Sequence, residues 1–208
     1  MPDENEFLRK PPRQSRSRSM VDAIVKAADE FLSRSEDPDA LSLEALAKRA
    51  GVGIGSLYDY FANRDGVFGA FLARLTDANF AQLEAKVHAT RGQPFTEALP
   101  ALVDATLEQY LAHPRRTRAA VLAIGRLGWI GPVVKERDRF AHVVAARLRE
   151  EHPHLTEART QLVGEIICDC IIGVVLGELW RERDPERAKA VRDELVSLVQ
   201  ARVVALLG

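Results

Sequence analysis

Apolar residues recur every three or four positions along most of the chain, which is the spacing of helices with one buried face. The first such segment runs from Ser19 to about Arg34, and later breaks fall at Gly51 and Gly53 and at residues 91–94, 113–114, 128–132 and 152–154. No segment alternates apolar and polar residues as a half-buried strand would. The pattern therefore predicts an all-α fold of about nine helices.

Changes in this pattern divide the chain into three parts. Residues 1–17 contain prolines and a Ser/Arg alternation without apolar periodicity, and we expect a flexible basic arm there. Residues 18–63 hold three helices, with a break at Ser35–Asp39 after the first and two short helices following it. Residues 64–208 hold longer helices and are expected to form the second domain.

Residues 42–61 have the spacing of two short helices that cross at a steep angle. Such a pair needs a small residue at the contact, a glycine in the turn and an apolar residue facing back, and Ala47, Gly51 and Leu57 meet these needs. This is a helix-turn-helix, whose second helix enters the major groove of DNA. The alternative is that Gly51 simply caps the end of one helix.

The longer string from Leu43 to Asp65, LEALAKRAGVGIGSLYDYFANRD, closely resembles the DNA-binding segment of the TetR family of bacterial transcription regulators. Its core at residues 50–61 has the pattern A-G-V-x-x-G-S-L-Y-x-Y-F, and the resemblance covers about residues 18–75. It implies a non-enzymatic repressor that binds a palindromic double-stranded operator as a homodimer and is released by a small-molecule effector. An activator, or an all-α enzyme or carrier with a vestigial helix-turn-helix, is the alternative.

The matching residues have chemistry that suits DNA. Gly53 and Gly55 let backbone come close, Ile54 can contact a thymine methyl group, and Tyr58 can reach a phosphate or a base. The resemblance implies phosphate contacts for Ser42, Ser56, Tyr60 and Arg64. The basic arm lies in a minor groove or contributes only general attraction. The predicted DNA contacts are Ser42, Gly53, Ile54, Gly55, Ser56, Tyr58, Tyr60, Arg64, Arg13, Arg16 and Arg18.

Four departures from the family pattern limit what can be carried over. Arg64 stands where lysine is usual, a harmless change of cation. Gly53 stands where Ser or Thr is usual, so the second helix lacks a hydroxyl cap. Gly66 replaces a helix former in the first turn of the fourth helix, which weakens that turn by up to ~1 kcal/mol. Asp59 puts a carboxylate on the recognition helix, where it faces away from phosphate or accepts from a cytosine amino group.

The last two helices predict a dimer interface. Residues 166–176 are apolar nearly all round the helix apart from Asp169, which indicates burial on more than one side. We therefore infer a two-helix face that meets its copy across a two-fold axis, and the resemblance implies the same arrangement. The predicted interface residues are Ile167, Ile171, Val174, Val191, Leu195 and Leu198.

By resemblance, the helices at about residues 64–152 hold an effector pocket. The aromatic and aliphatic candidates suggest an effector with a substantial apolar part, although core packing or solvated surface is the commoner role for each such side chain. The candidate lining residues are Phe80, Tyr110, His113, Arg126, Trp129, Phe140, His142 and Val144.

The composition of the chain mainly argues against certain classes of protein and kinds of site. The formal net charge of −1, from 29 Lys and Arg against 30 Asp and Glu, argues against a general nucleic-acid binder, yet every charge at residues 9–18 is positive. DNA binding must therefore rely on a few placed contacts. Cys168 and Cys170 are expected to be buried small residues rather than redox sensors, and His152 and His154 to be surface residues rather than metal ligands. With no signal peptide, membrane span or cofactor motif, we expect a cytoplasmic protein without a cofactor.

Overall fold

The computed structural model describes residues 4–35 and 40–207, and within these ranges it contains helices and no strand. This confirms the predicted all-α fold, although residues 36–39, most of the predicted break after the first helix, lie outside the described ranges. None of the described helices is long and apolar enough to span a bilayer. The helices are α1 (Ser15–Leu32), α2 (Leu43–Ala50), α3 (Ile54–Tyr60), α4 (Arg64–Ala89), α5 (Phe95–Leu111), α6 (Pro114–Arg126), α7 (Ile130–Glu151), α8 (Glu157–Leu179) and α9 (Pro185–Leu207).

The helices form two compact units. The first contains the described residues up to Ala78 together with His113–Pro132, and the second contains Asn79–Ala112 and the described residues from Val133 onward. From the sequence we predicted a domain boundary between residues 63 and 64. In the structure, α4 contributes to both units and α6 belongs to the first unit. The reason is that the small residues of α6 pack into the core of the first unit, where Ala119, Ala120 and Ala123 are buried.

The first unit is built around α1, α2, α3 and the first half of α4. Its largest buried side chains include Leu46, Leu57, Phe61 and Phe68, each with no exposed surface. Ser42 starts α2 by accepting a hydrogen bond on Oγ from the Ala45 N–H at 3.1 Å. Such a cap is worth about 1 kcal/mol, which helps an eight-residue helix to form.

The segment before α1 differs from the flexible arm that the sequence predicted. Helix α1 begins at Ser15 instead of Ser19, because the Gln14 N–H donates to Ser17 Oγ at 3.1 Å. Arg16 and Arg18 therefore lie in the first turn of α1. Residues 4–10, called the N-terminal strap below, pack on the unit through Phe7, whose ring centroid lies 4.9 Å from that of Trp129.

The second unit contains α5, α8, α9, most of α7 and the last part of α4. Val103, Leu148, Val163 and Val203 in its core have no exposed surface. Gly164 of α8 lies so close to α7 that a β-carbon there would stand 2.6 Å from the Ala141 carbonyl oxygen. Glycine at this position thus allows the two helices to approach closely.

Candidate nucleic-acid interface and ligand groove

Helices α2 and α3 form the predicted helix-turn-helix. Ala47 and Leu57 are both buried, with 3% and 0% of their surface exposed. Gly51 has a φ of +68°, a left-handed conformation that favours glycine, and the Val52 N–H donates to the Ala47 carbonyl oxygen at 3.0 Å. The glycine does end α2, as the alternative interpretation had it, but it does so within the turn that leads into α3.

The recognition helix α3 turns one face to the core and the other to the surroundings. Leu57 is the residue that anchors it, whereas Gly53, Ile54, Gly55 and Tyr58 are exposed. Two large side chains of α3 are exposed: Ile54 to 40% and Tyr58 to 41%. Exposed side chains of this kind on a short, firmly anchored helix suit contact with base edges.

The N-terminal strap holds the carboxyl end of α3. The Arg9 N–H donates to the Tyr60 carbonyl oxygen at 2.8 Å, and Arg9 Nη1 donates to the Tyr58 carbonyl oxygen at 3.2 Å. Lys10 Nζ lies 3.6 Å from Asp59 Oδ1 and 5.1 Å from the Tyr60 ring centroid. The strap thus satisfies carbonyl groups that the end of a helix leaves open. It also gives Asp59 a cation, which fits the interpretation that this carboxylate faces away from phosphate.

Two glycines of α4 leave room for the strap to pack against this helix. A β-carbon on Gly69 would lie 2.0 Å from Phe7 Cδ1, and one on Gly66 would lie 3.1 Å from the Phe7 carbonyl oxygen. Glu4 accepts two hydrogen bonds from Arg74, both at 2.7 Å. The sequence interpretation saw Gly66 only as a weak point of α4 and missed the strap altogether. The available signals were the apolar Phe7 within a polar segment and the spacing of the two glycines.

The other predicted DNA contacts lie near helix starts. Ser42 precedes α2, Arg16 and Arg18 occupy the first turn of α1, and Arg64 is the first residue of α4. Arg13, Arg16, Arg18 and Ser42 are exposed, and Arg64 is partly exposed, with its guanidinium carbon 6.0 Å from the Phe68 ring centroid.

The effector candidates are divided between the two units. His113, Arg126 and Trp129 belong to the first unit, where Arg126 pairs with Asp65 at 2.9 Å and Trp129 packs on the strap. These contacts account for Arg126 and Trp129 without a ligand.

The remaining candidates lie in the second unit. Phe80 and Phe140 meet edge to face with ring centroids 6.3 Å apart, and Val144 is buried in the core. Tyr110 is partly buried, and burial raises the pKa of its hydroxyl group. Phe80 and His142 line a groove in this unit, described next.

The groove has a volume of about 570 Å³ and runs between α4 and α7. Its apolar residues are Phe80, Val87, Val143 and Ala146. His142 was the one polar lining residue predicted from the sequence; the others were not, because the candidates were chosen mainly for aromatic character, although helical spacing from Phe80 and His142 identifies most of them. These other polar lining residues are Glu84, His88, Arg91, Lys135, Asp138, Arg139, Arg147 and Gln161.

The last two helices expose an apolar stripe that shares only Leu198 with the predicted interface residues. Ile167, Ile171 and Leu195 are buried in the core of their own unit, so a second copy cannot cover them, and Val174 and Val191 are only partly exposed. Ile167 and Ile171 therefore lie on the side of α8 that packs inside the unit. The exposed large apolar residues are Leu162, Ile166 and Leu176 on α8, Trp180 directly after it, and Leu198 and Val204 on α9, with Gly173 and Gly177 also exposed on α8.

The cysteine and histidine pairs have ordinary surroundings. Cys168 is buried, and burial raises the pKa of its thiol to about 12, so the reactive thiolate is scarce at neutral pH. His152 and His154 stack edge to face with ring centroids 5.9 Å apart. In the part of the chain that the structure describes, no three His, Cys, Asp or Glu side chains are grouped as metal ligands.

Comparison with known proteins agrees with this geometry. Residues 24–71 match the model of bacterial regulatory proteins of the tetR family. No curated protein gives a significant sequence match. Among solved structures, a protein of Mesorhizobium loti assigned to the TetR family of transcriptional regulators is 17% identical, with a TM-score of 0.69, over 93% of this chain and 98% of that one.

Two further structures show the same likeness. The TetR family repressor AlkX of Dietzia, implicated in biodegradation of n-alkanes, is 19% identical with a TM-score of 0.61 over 95% and 98% of the two chains. A tetR-family regulator of Streptomyces coelicolor is 21% identical with a TM-score of 0.64 over 89% and 81%. Residues 24–71 therefore match the amino-terminal domain of the tetR family, and over most of its length the chain has the all-α fold of these solved structures.

Proposed function

We propose that this protein is a transcriptional repressor that binds a palindromic DNA operator as a homodimer and leaves it when a small molecule enters the groove between α4 and α7. The observation that carries this proposal is the construction of α3. Leu57 is completely buried, while Ile54, Gly55 and Tyr58 are exposed on the same short helix. A helix held this firmly, with an exposed face of small and aromatic residues, suits insertion into a major groove.

The proposed DNA contacts have separate roles. Gly53, Ile54, Gly55 and Tyr58 face the bases, whereas Ser42, Ser56, Tyr60 and Arg64 contact phosphates. Ser42 Oγ accepts from the Ala45 N–H, which leaves the hydroxyl hydrogen available to donate to a phosphate oxygen.

The basic residues before and within the first turn of α1 complete the proposed set. Arg13, Arg16 and Arg18 are all exposed and add cations for the DNA backbone or an adjacent minor groove. Because Arg16 and Arg18 lie on a helix rather than a loose arm, their positions are more restricted than the sequence suggested.

The proposed dimer interface is the apolar stripe of α8 and α9. Leu162, Ile166, Gly173, Leu176 and Trp180 follow one another at intervals of three, four or seven residues and so share one face of α8. Trp180 is 54% exposed and Leu198 of α9 is 56% exposed. Large apolar side chains left this exposed on two helices are typical of an interaction surface, and a self-complementary one produces a two-fold dimer.

The proposed switch runs through α4. This helix begins with Arg64, after a three-residue turn that follows the recognition helix, and later contributes Phe80, Glu84 and Val87 to the groove. A ligand that favours the released state must bind it about 5.5 kcal/mol more tightly to convert a 99:1 mixture into a 1:99 mixture.

In vitro selection tests the proposal. The full-length protein is used to enrich duplexes from a randomised pool over several rounds, and the bound pool is sequenced. We expect an inverted repeat whose half-sites are about one helical turn apart, with an affinity that falls steeply as salt rises. A final pool with no shared sequence would contradict the proposal.

A further inference from the structure

The carboxyl end of the recognition helix α3 carries three negative groups. The carbonyl groups of Tyr58 and Tyr60 belong to its last turn, where carbonyls lack partners within the helix and carry partial negative charge. Asp59 lies between them and adds a carboxylate whose side chain is 60% exposed. DNA is a polyanion, so a negative helix end held against it weakens binding unless it is compensated.

Two cations of the N-terminal strap meet these three groups. The Arg9 backbone N–H donates to the Tyr60 carbonyl oxygen at 2.8 Å, and Arg9 Nη1 donates to the Tyr58 carbonyl oxygen at 3.2 Å. Lys10 Nζ lies 3.6 Å from Asp59 Oδ1. The compensation therefore comes from a segment that lies outside the helix-turn-helix.

The strap also adds a kind of contact that the core does not provide to α3. Leu57 within the helix and Phe61 directly after it are both completely buried, and they hold one face of α3 against the core. Apolar contacts of this kind are not directional, whereas hydrogen bonds weaken steeply when their geometry changes. The two hydrogen bonds from Arg9 therefore restrict the orientation of α3 in a way that its buried face does not.

An aromatic anchor fixes the middle of the strap to the first unit. The Phe7 ring lies where a β-carbon on Gly69 of α4 would be 2.0 Å away, and its centroid is 4.9 Å from that of Trp129. Glycine at position 69 is thus what gives the ring its place. Phe7 is two residues before Arg9, so this anchor limits where the Arg9 donors can lie.

An ion pair fixes the start of the strap. Glu4 accepts two hydrogen bonds from Arg74 of α4, both at 2.7 Å, and the same guanidinium donates to Asp22 of α1 at 2.6 Å. With both Glu4 and Phe7 held, the strap connects α3 to the rest of the unit instead of hanging from it as a loose tail.

We propose that the strap positions α3 for DNA binding without itself contacting DNA. Arg9 is the positioning residue, acting through the Tyr58 and Tyr60 carbonyl groups, and Lys10 neutralises Asp59. This inference rests on the proposed function and deepens it, because it assigns a determinant of DNA affinity outside the helix-turn-helix. It also differs from the expectation of a flexible basic arm, which would act by its charge alone.

Variants that release the strap without changing the charge of the protein test the inference. Phe7→Ala removes the anchor, and Gly69→Ala fills the place of the ring. If release leaves α3 correctly oriented about half the time in each copy, binding to a palindrome weakens about fourfold, because both copies must be competent. We expect a Kd for the selected duplex at least about fourfold higher in both variants, measured by anisotropy well below their Tm.

Gly125→Ala is the control for these variants, since a β-carbon there meets nothing within 4 Å. We expect it to bind the selected duplex with the wild-type Kd. A wild-type Kd in Phe7→Ala and Gly69→Ala as well would overturn the proposal, even if both variants are less stable, because the strap would then support the fold alone.

A second pair of variants gives effects of opposite sign. Glu4→Ala and Asp22→Ala each remove one carboxylate held by Arg74, but only Glu4 belongs to the strap. Loss of a negative charge by itself favours binding to DNA. We therefore expect Asp22→Ala to bind at least as tightly as wild type and Glu4→Ala to bind at least about twofold more weakly. Unchanged or tighter binding by Glu4→Ala would overturn the proposal.

The salt dependence of Arg9→Met separates positioning from a direct contact. A lost phosphate contact reduces the slope of log K against log salt concentration by about 0.9 in each copy. We expect Arg9→Met to raise the Kd at every salt concentration and to keep the wild-type slope. A slope reduced by about 0.9 in each copy would show that Arg9 binds a phosphate, which would overturn its role as a positioning residue.

Failure of this inference differs from failure of the proposed function. If the wild-type protein binds a selected palindrome and the strap variants bind it equally well, the repressor proposal stands and the strap inference alone is overturned. If the wild-type protein binds no duplex specifically, both are overturned.

Discussion

Gly69→Ala is expected to destabilise the protein, although alanine is the better helix former. By helix propensity alone, replacing glycine with alanine within α4 would stabilise the protein by about 1 kcal/mol. The new β-carbon would lie 2.0 Å from the Phe7 ring, however, so the strap has to leave its site. Phe7 is half-buried, and exposing roughly 100 Å² of aromatic surface at ~25 cal/mol per Å² costs about 2.5 kcal/mol. The net effect is a loss of about 1.5 kcal/mol.

Thermal unfolding followed by circular dichroism measures this loss. For a chain of this length, about 1.5 kcal/mol corresponds to a Tm lower by roughly 3–6 °C. Gly125→Ala in α6 is the matched control, since a β-carbon there meets nothing within 4 Å, and we expect it to raise the Tm slightly.

A double-mutant cycle tests whether the clash with Phe7 causes the loss of stability in Gly69→Ala. In a Phe7→Ala variant no ring occupies the space beside Gly69. Gly69→Ala should then stabilise the protein, by up to about 1 kcal/mol, instead of destabilising it. If Gly69→Ala raises the Tm of the wild-type chain as Gly125→Ala does, Phe7 does not occupy this site and the account of the strap is refuted.

Three further predictions concern other parts of the chain. Because burial raises the pKa of the Cys168 thiol to about 12, a thiol reagent at pH 8 should label Cys168 only after denaturation, and rapid labelling of the native protein at Cys168 would contradict its burial. The hydrogen bond from Arg192 lowers the pKa of Asp104 below 3.8, so the stability it contributes is present above that value and is lost as pH falls through the lowered pKa. Asp104→Asn should thus lower the Tm slightly at pH 7, and the difference from wild type should shrink with acidification; a pH-independent difference would argue against the ion pair. Leu198→Glu should convert a dimer to a monomer in sedimentation analysis, whereas Leu122→Glu, an equally exposed change on α6, should not, and a dimer that survives Leu198→Glu would exclude the proposed face.

Much of the fold could be predicted because helical periodicity and turn residues are local signals. The helix-turn-helix was found from Ala47, Gly51 and Leu57, whose spacing reflects the contact between α2 and α3. The strap was missed because Phe7 stands in a polar segment with no periodicity. Its site is formed by Gly69 and Trp129, which are far from it in sequence, so only tertiary structure reveals why α4 contains glycines near its start.

The lining of the groove and the exposed stripe could not be predicted from local sequence patterns. Helix α8 is apolar on several sides, so the pattern cannot tell which apolar residues pack inside the unit and which remain exposed. Ile167 and Ile171 turned out to be inside, whereas Trp180 is exposed. The groove candidates were chosen mainly for aromatic character, whereas most of the residues that line the groove are polar, and their grouping becomes visible only in three dimensions.

The affinity of Gly55→Ala for the selected duplex shows whether α3 enters the DNA. A β-carbon on Gly55 meets nothing within 4 Å in the protein itself, so the variant should fold as well as wild type. At a close contact with DNA the extra methyl group should cost 1–3 kcal/mol, or roughly 5–150-fold in Kd by anisotropy titration. Gly125→Ala should leave the Kd unchanged. An unaltered Kd and unaltered sequence preference in Gly55→Ala would contradict the account.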